Sequence, residues 1–349
     1  MKWFALGGLA VLLSVAVATC GDSAGQAPAR SSGAQTIAIG LSVPWGVALL
    51  PGGDALVSER TTGRILRISR DGRRRRVVMR MPGVDTNSGE GGMLGLAASP
   101  SYARDRWVYA YFTSASDNRI VRFRLGGRIR PVLTGLRRGV IHNGGRIAFG
   151  PDGKLYAGVG ETGDTSLAQN RRSLNGKILR LNPDGSVPSD NPFPRSLVWS
   201  YGHRNVQGLA WDRSGRLWAT EFGQSEFDEV NLIRRGGNYG WPDVEGRGST
   251  AGGRFINPKA TWTTSEASPS GAAIAGRTMY IGALQGDAVL RVRLNGTRAR
   301  KAAPLLQGRY GRIRTVVRAP DGSLWVTTSN RDGRGSPRSG DDRIVRLRP

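Results

Sequence analysis

The chain has 349 residues, 38% of them hydrophobic, which is ample for one large core or two medium ones. Its 51 glycines point to many turns, and its single cysteine, Cys20, excludes an intramolecular disulfide. The formal net charge is +25, yet only five basic residues are Lys and the Arg are spread along strand-like segments. The one dense run, Gly72–Arg80, reads as a solvated strand edge, so nucleic acid is not an expected partner.

At the N-terminus, Lys2 supplies a short basic start, Trp3 to Ala18 an apolar run, and small residues precede Cys20. The run is too short for a comfortable membrane span, so residues 1–20 read as an export signal. Val17-Ala18-Thr19-Cys20 looks like a bacterial lipobox, in which cleavage leaves the cysteine acylated at the new N-terminus. Thr19 departs from the usual Gly, Ala or Ser, which leaves cleavage by an ordinary signal peptidase open. Residues 21–35, rich in Ser, Ala, Gly and Pro, read as a flexible linker. The expectation is an exported protein, anchored to the outer face of the cell membrane by lipid on Cys20 or otherwise secreted. Its working domain is then residues 36–349.

From Pro51 onward a unit recurs: a Gly/Asp turn followed by a short apolar strand. Its copies are at 51–57, 104–109, 151–156, 213–218, 275–280 and 320–325. A second, strand-like unit follows each copy, at 65–68, 120–123, 178–181, 230–233, 289–292 and 344–347. Several of these have an Arg in an apolar frame, as in Ile65-Leu66-Arg67-Ile68, and read as strands with apolar residues inward and Arg outward. A period of about 50 residues is the size of one four-stranded propeller blade. No capped amphipathic helix interrupts the pattern, which argues against an α/β barrel. The predicted fold is all-β, a six-bladed β-propeller of four-stranded antiparallel blades. The final copy ends so near the C-terminus that Thr36–Ile39 is the candidate to supply the last blade's missing strand, which would remove two exposed edges.

The segments between these units carry the chemistry. Both histidines of the chain sit in polar, glycine-containing motifs: Ile141-His142-Asn143-Gly144-Gly145-Arg146 and Tyr201-Gly202-His203-Arg204-Asn205. Histidine is the side chain whose unperturbed pKa lies nearest neutrality, so these are the candidates for acid–base work. Loops at one end of a propeller converge, so residues distant in sequence can meet there. Arg312 and Arg314, spaced i, i+2 on a strand, point to one side and could grip carboxylates together. An outward pair like the other strand arginines is the alternative.

In order along the chain, the motifs are Gly-Glu-Gly-Gly-Met-Leu-Gly-Leu at 89–96, His-Asn-Gly-Gly-Arg at 142–146 and Ser-Tyr-Gly-His-Arg-Asn at 200–205. Glu-Phe-Gly-Gln at 221–224, Gly-Gly-Asn-Tyr-Gly-Trp-Pro at 236–242 and Arg-Ile-Arg at 312–314 complete the set. From about Val43 through Leu347 the chain resembles the soluble glucose/sorbosone dehydrogenases, or aldose sugar dehydrogenases. These are six-bladed propellers that use pyrroloquinoline quinone (PQQ) and calcium. The resemblance implies oxidation of an aldose sugar at C1 to the lactone, with electrons passed to an external acceptor. It makes His142 the general base that takes the anomeric proton as hydride leaves for the quinone. Arg204, with Asn205 beside it, would polarise the accepting quinone carbonyl. Arg204, Asn205, Arg312 and Arg314 would bind the cofactor, and Glu90 would lie on the substrate side. Gly223 and Gln224 would give backbone carbonyls to calcium. His203 reads as structural, holding the loop that aims Arg204.

The sequence departs from the family pattern at three positions. Gln224 stands where some members have Pro, which a backbone ligand survives. Gln285 replaces a lysine that contacts PQQ, and Ile141 replaces a sugar-contacting Asp, which favours broad aldose specificity over a glucose specialist. The loss at Gln285 supports an alternative: a non-catalytic propeller that binds a glycan or protein partner after losing cofactor affinity. A calcium-dependent lactonase would instead need converging carboxylates, for which Glu161, Asp164 and Asp228 are the visible candidates.

Overall fold

Each copy of the sequence repeat forms the two middle strands of a four-stranded antiparallel sheet. The structure is a computed structural model that describes residues 33–348 and Met1. Blade one comprises Pro44–Leu49, Ala55–Glu59, Arg64–Ile68 and Arg75–Arg80. Blade two comprises Met93–Ala98, Val108–Thr113, Asn118–Phe123 and Arg130–Leu136. Blade three comprises Ile147–Phe149, Leu155–Val159, Lys177–Leu181 and Val198–Tyr201. Blade four comprises Val206–Trp211, Leu217–Glu221, Phe227–Leu232 and Ala260–Thr263. Blade five comprises Pro269–Ala275, Thr278–Ala283, Ala288–Asn295 and Arg298–Leu305. Blade six comprises Ile313–Arg318, Leu324–Thr328 and Ile344–Leu347, closed by Gln35–Ala38 as its outermost strand. In that closure Gln35 lies opposite Arg346 and Thr36 opposite Val345. The predicted six-bladed propeller is the observed fold.

The recurrent turn has a common cause. Leu50, Gly150, Asp212 and Ala319 each donate their N–H to the carbonyl four residues on, closing the first hairpin of four blades. Gly153 (φ 73°) and Gly322 (φ 82°) supply the left-handed residue that this turn needs.

The middle strands are covered on both faces: all five residues of Ala55–Glu59, Leu155–Val159 and Leu324–Thr328 are buried. Apolar-in, Arg-out alternation therefore describes these strands only in part, because each blade packs face to face against its neighbours. Between blades one and two, Leu56, Ile65, Met93, Val108 and Phe123 form one cluster, each side chain contributing about 1.5–3 kcal/mol by burial. Arg180 corrects the outward expectation outright. It is buried, lies 5.0 Å over Trp199, and pairs with Asp152 and Asp190 at 2.9 and 2.7 Å. The arginine run of blade one is exposed at Arg73–Arg76, as its reading as a solvated edge required.

Neighbouring blades are tied together near the starts of the innermost strands, by side chains of first and second strands. Ser58 Oγ donates to the Leu94 carbonyl at 2.6 Å, Thr315 Oγ1 to that of Trp45 at 2.6 Å, and Thr220 Oγ1 to that of Ser270 at 2.6 Å. Arg146 Nε reaches the Gln207 carbonyl at 2.7 Å. Backbones approach so closely that a Cβ on Gly95 would lie 2.2 Å from the Gly145 carbonyl oxygen. Loops preceding different inner strands are thereby brought to one face. No helix among the described residues is long and apolar enough to cross a membrane. The export segment 1–20 with Cys20, and most of the 21–35 linker, lie outside the described residues.

Candidate active site

On the loop before blade three, His142 is held with a positive φ of 51°, a region that side chains seldom occupy. Its N–H donates to Glu90 Oε2 at 2.9 Å and its carbonyl accepts from Thr162 N–H at 3.2 Å. Gly160 lets the next loop pass underneath, since a Cβ there would lie 1.9 Å from the His142 carbonyl oxygen. That passage brings Glu161, almost fully buried, to 2.5 Å from His142 Nδ1. An ionised carboxylate can only accept, so Nδ1–H donates to Glu161 and Nε2 is the ring nitrogen left to act as a base.

A second His–Glu pair lies one blade on and does different work. His203 is fully buried, with Nδ1 2.9 Å from Glu221 Oε2 and Nε2 2.8 Å from Ser200 Oγ, and it stacks on Tyr239. Glu221 Oε1 also accepts the backbone N–H groups of Arg204 and Asn205. His203 is thus structural, and its partner carboxylate fixes the turn that presents Arg204. The Arg204 guanidinium donates to Gln224 Oε1 and to the Phe222 carbonyl, and lies 5.6 Å over Trp241. Asn205 Oδ1 accepts from Gly144 N–H at 3.1 Å, joining the two histidine loops.

Arg312 and Arg314 are both buried, and both donate to Asp332 Oδ2, at 3.1 and 3.2 Å. The inward reading of this pair holds. Burial pushes the Arg314 guanidinium down to about 10 despite that partner. Both arginines line a cavity of about 240 Å³ with Trp45, Arg60, Glu90, Ile141, Phe222 and Asp332. Glu90 connects the cavity to His142 and also pairs with Arg334 at 2.8 Å. Phe222 connects it to Arg204. Glu90, Arg312 and Arg314 thus line the cavity, while His142 and Arg204 lie outside its lining and are joined to it through Glu90 and the Phe222 backbone.

The Gly223–Gln224 loop is clamped from beneath. One oxygen of Glu245 accepts the N–H groups of Gln224, Ser225, Glu226 and Phe227 at 2.7–3.1 Å. Asp228 accepts Gly223 N–H at 2.9 Å, and burial pushes its carboxyl up to about 6. The three carboxylates that a lactonase would need do not converge. Glu161 serves His142, Asp228 serves Gly223 and Ser268, and Asp164 pairs with Arg137. Gln285 is exposed and outside the cavity lining.

Sequence reasoning missed Arg60, Asp332 and the pairing of Glu161. The missing signal was positional. An acid at or just after the end of a blade's second strand lies beside the residues just before its first. Glu161, Glu221 and Asp332 all follow that rule, 17–20 residues downstream of His142, Arg204 and Arg312.

Residues 41–342 match the family model described as Glucose / Sorbosone dehydrogenase. The chain belongs to that family. Aldose sugar dehydrogenase of Escherichia coli is 31% identical over 70% of this chain and 76% of its own length. Quinoprotein glucose dehydrogenase B of Acinetobacter calcoaceticus is 33% identical over 62% of this chain, which spans about half (52%) of that relative. A PQQ-bound aldose sugar dehydrogenase from Streptomyces coelicolor shares 53% identity with a TM-score of 0.86, over 92% of this chain and 99% of that one. The family is one of sugar-oxidising enzymes, and the propeller is an oxidoreductase scaffold with an aldose as the implied substrate.

Proposed function

We propose that this protein is an exported, PQQ-dependent aldose dehydrogenase. It oxidises an aldose at C1 to the lactone, uses calcium, and passes electrons to an external acceptor. The observation that carries this reading is a cation-walled cavity whose lining residue Glu90 holds the backbone of His142, itself paired with Glu161.

The residues present fit the cofactor. Arg60 Nε in the cavity wall is a buried donor without a partner among the described residues, as are Asn205 Nδ2 and Trp241 Nε1 near Arg204. Arg312 and Arg314 share one carboxylate oxygen between them. Such spare donors suit a polycarboxylate bearing quinone oxygens. Arg60 also offsets the lysine replaced by Gln285, because it brings a cation to the wall from another blade. For calcium the donors are backbone carbonyls of Gly223 and Gln224. With the loop's N–H groups spent on Glu245 and Asp228, carbonyl oxygens are what the loop has left for a hard cation. Among the described residues no cluster of three or more His, Cys, Asp or Glu side chains is arranged to hold a metal.

When bound, PQQ supplies the two-electron acceptor for the C1 hydride, and calcium polarises it. His142 Nε2 takes the proton of the C1 hydroxyl, which eases departure of the hydride. Glu161 keeps the Nδ1 proton in place and stabilises the imidazolium that forms. Arg204 places fixed positive charge where negative charge develops on oxygen. Ile141 and the strongly exposed Val140 add apolar surface to the cavity, which fits broad aldose acceptance.

The test is reconstitution of the purified protein with PQQ and calcium, followed by dye reduction across a panel of aldoses. Calcium-dependent turnover is expected, lost in His142→Ala while PQQ still binds. A protein that binds no PQQ in the presence of calcium overturns the reading.

A further inference from the structure

The sequence motif at 142–146 ends in an arginine to which the chemistry above gives no task. Arg146 is buried. Its Nε donates to the Gln207 carbonyl at 2.7 Å and its Nη2 to Thr315 Oγ1 at 3.0 Å, and its guanidinium lies 4.1 Å over the Trp45 ring. All of these neighbours are neutral. No carboxylate pairs with Arg146 among the described residues, and the charge acting on it is that of Arg314, which repels it. Burial first, then Arg314, pushes the guanidinium down to about 9. A buried charge without a counter-charge is costly and therefore uncommon.

Its place relates this charge to the cavity. Trp45 and Gln207, which hold the guanidinium, also line the cavity, as does Arg314. Arg146 therefore adjoins the cavity wall from the protein side. Cations in that wall (Arg60, Arg312, Arg314, Arg334) outnumber its carboxylates, Glu90 and Asp332, by two, and Arg146 adds a further positive charge next to it.

We infer that Arg146 is a positioning residue whose buried charge, unpaired within the protein, anchors a polycarboxylate ligand in the cavity from behind its wall. This rests on the PQQ reading and deepens it, adding an electrostatic contact that no surface group provides. The low polarisability of the site lets a unit charge act across one layer of side chains. The rival role is a mechanical brace, since Arg146 joins blades three, four and six. A brace needs the donor fork, whereas an anchor needs the charge.

Two variants separate these roles, with PQQ affinity read from quenching of tryptophan fluorescence and folding from thermal melts. Arg146→Gln removes the charge and is expected to weaken PQQ binding by about tenfold or more. Arg146→Lys loses the fork and keeps the charge, so at pH 6 its affinity stays within about threefold of wild type. A buried lysine amine titrates near neutrality, with Arg314 as its charged neighbour. PQQ affinity of Arg146→Lys should therefore fall between pH 6 and 9 by far more than that of wild type. If Arg146→Gln does not fold, this pH contrast alone decides. Equal affinity in wild type and Arg146→Gln, or a pH-independent loss in Arg146→Lys, overturns the inference and leaves the function standing. Wild-type protein that binds no PQQ overturns both.

Discussion

Glu161→Gln removes one charge and almost no volume at the point where the proposed base is steadied. In the native pair the buried carboxylate accepts from His142 Nδ1 at 2.5 Å and also from Gly163 N–H. Both partners are donors, so a glutamine amide can satisfy one with its oxygen and must turn its NH2 toward the other. The change therefore replaces a charge-assisted bond with a neutral one and leaves a second donor unpaired. Charge-assisted bonds contribute about 1.5–3 kcal/mol against about 0.5–1.5 for neutral ones, and an orphaned donor costs about 1–3 more. The part felt when His142 becomes positive is about 2–3 kcal/mol, which corresponds to a fall in kcat of about 30- to 150-fold. KM and PQQ affinity should move little, because Glu161 is outside the cavity lining. Steady-state dye reduction by the PQQ- and calcium-loaded protein measures the rate, with Asp164→Asn as a control in the same loop. Asp164 meets Arg137 and Ser166 at the surface, so that variant should turn over normally. A Glu161→Gln protein with kcat within twofold of wild type would refute the role of the pair.

Two further outcomes follow from the carboxylates of blade four. Glu229 sits opposite Glu221 across the sheet, and burial together with that neighbour pushes its carboxyl up to about 8. Its folded pKa exceeds the unfolded value, so its protonation favours the fold at low pH and that contribution is lost as pH rises through about 8. Glu229→Gln should remove this loss, raising stability by on the order of 2 kcal/mol above pH 8 in chemical denaturation. Its amide can also donate to Asn231 Oδ1, an acceptor left unpaired among the described residues. Stability curves against pH that run parallel for the two proteins would contradict the assignment. Glu245→Gln weakens the single oxygen that gathers four N–H groups, and should lower calcium affinity by about tenfold with PQQ bound. Terbium luminescence or calorimetry reads this directly, and unchanged affinity would show that the loop needs no clamp.

The blades were legible because their middle strands repeat a turn and an apolar run, and those strands pack between neighbours wherever the ring closes. Outer strands left weaker marks: Arg75–Arg80 and Arg298–Leu305 are largely exposed and bear no common pattern. His142, Arg204, Arg312 and Arg314 were legible as single residues in polar motifs. Their acidic partners were not, because Asp332 reaches Arg312 only through the hairpin that pairs Ile313 with Thr328. Glu245 was hidden for a different reason. It lies in the long excursion between Leu232 and Ala260, and local sequence does not show that this segment returns to the Gly223–Gln224 loop.

The closure of blade six sets a timetable for folding. Gln35–Ala38 pairs with Ile344–Leu347, so the strand synthesised first waits for nearly the whole chain before finding its partner. Bringing together ends about 310 residues apart carries an entropic cost of about 5 kcal/mol in a flexible chain. That cost falls sharply if the intervening blades have already stacked into an arc, which shortens the gap to be bridged. If assembly runs around the ring blade by blade, the strand Gln35–Ala38 pairs last, as a clasp rather than a nucleus. A steady pull at the N-terminal strand would peel this clasp before disturbing any complete blade.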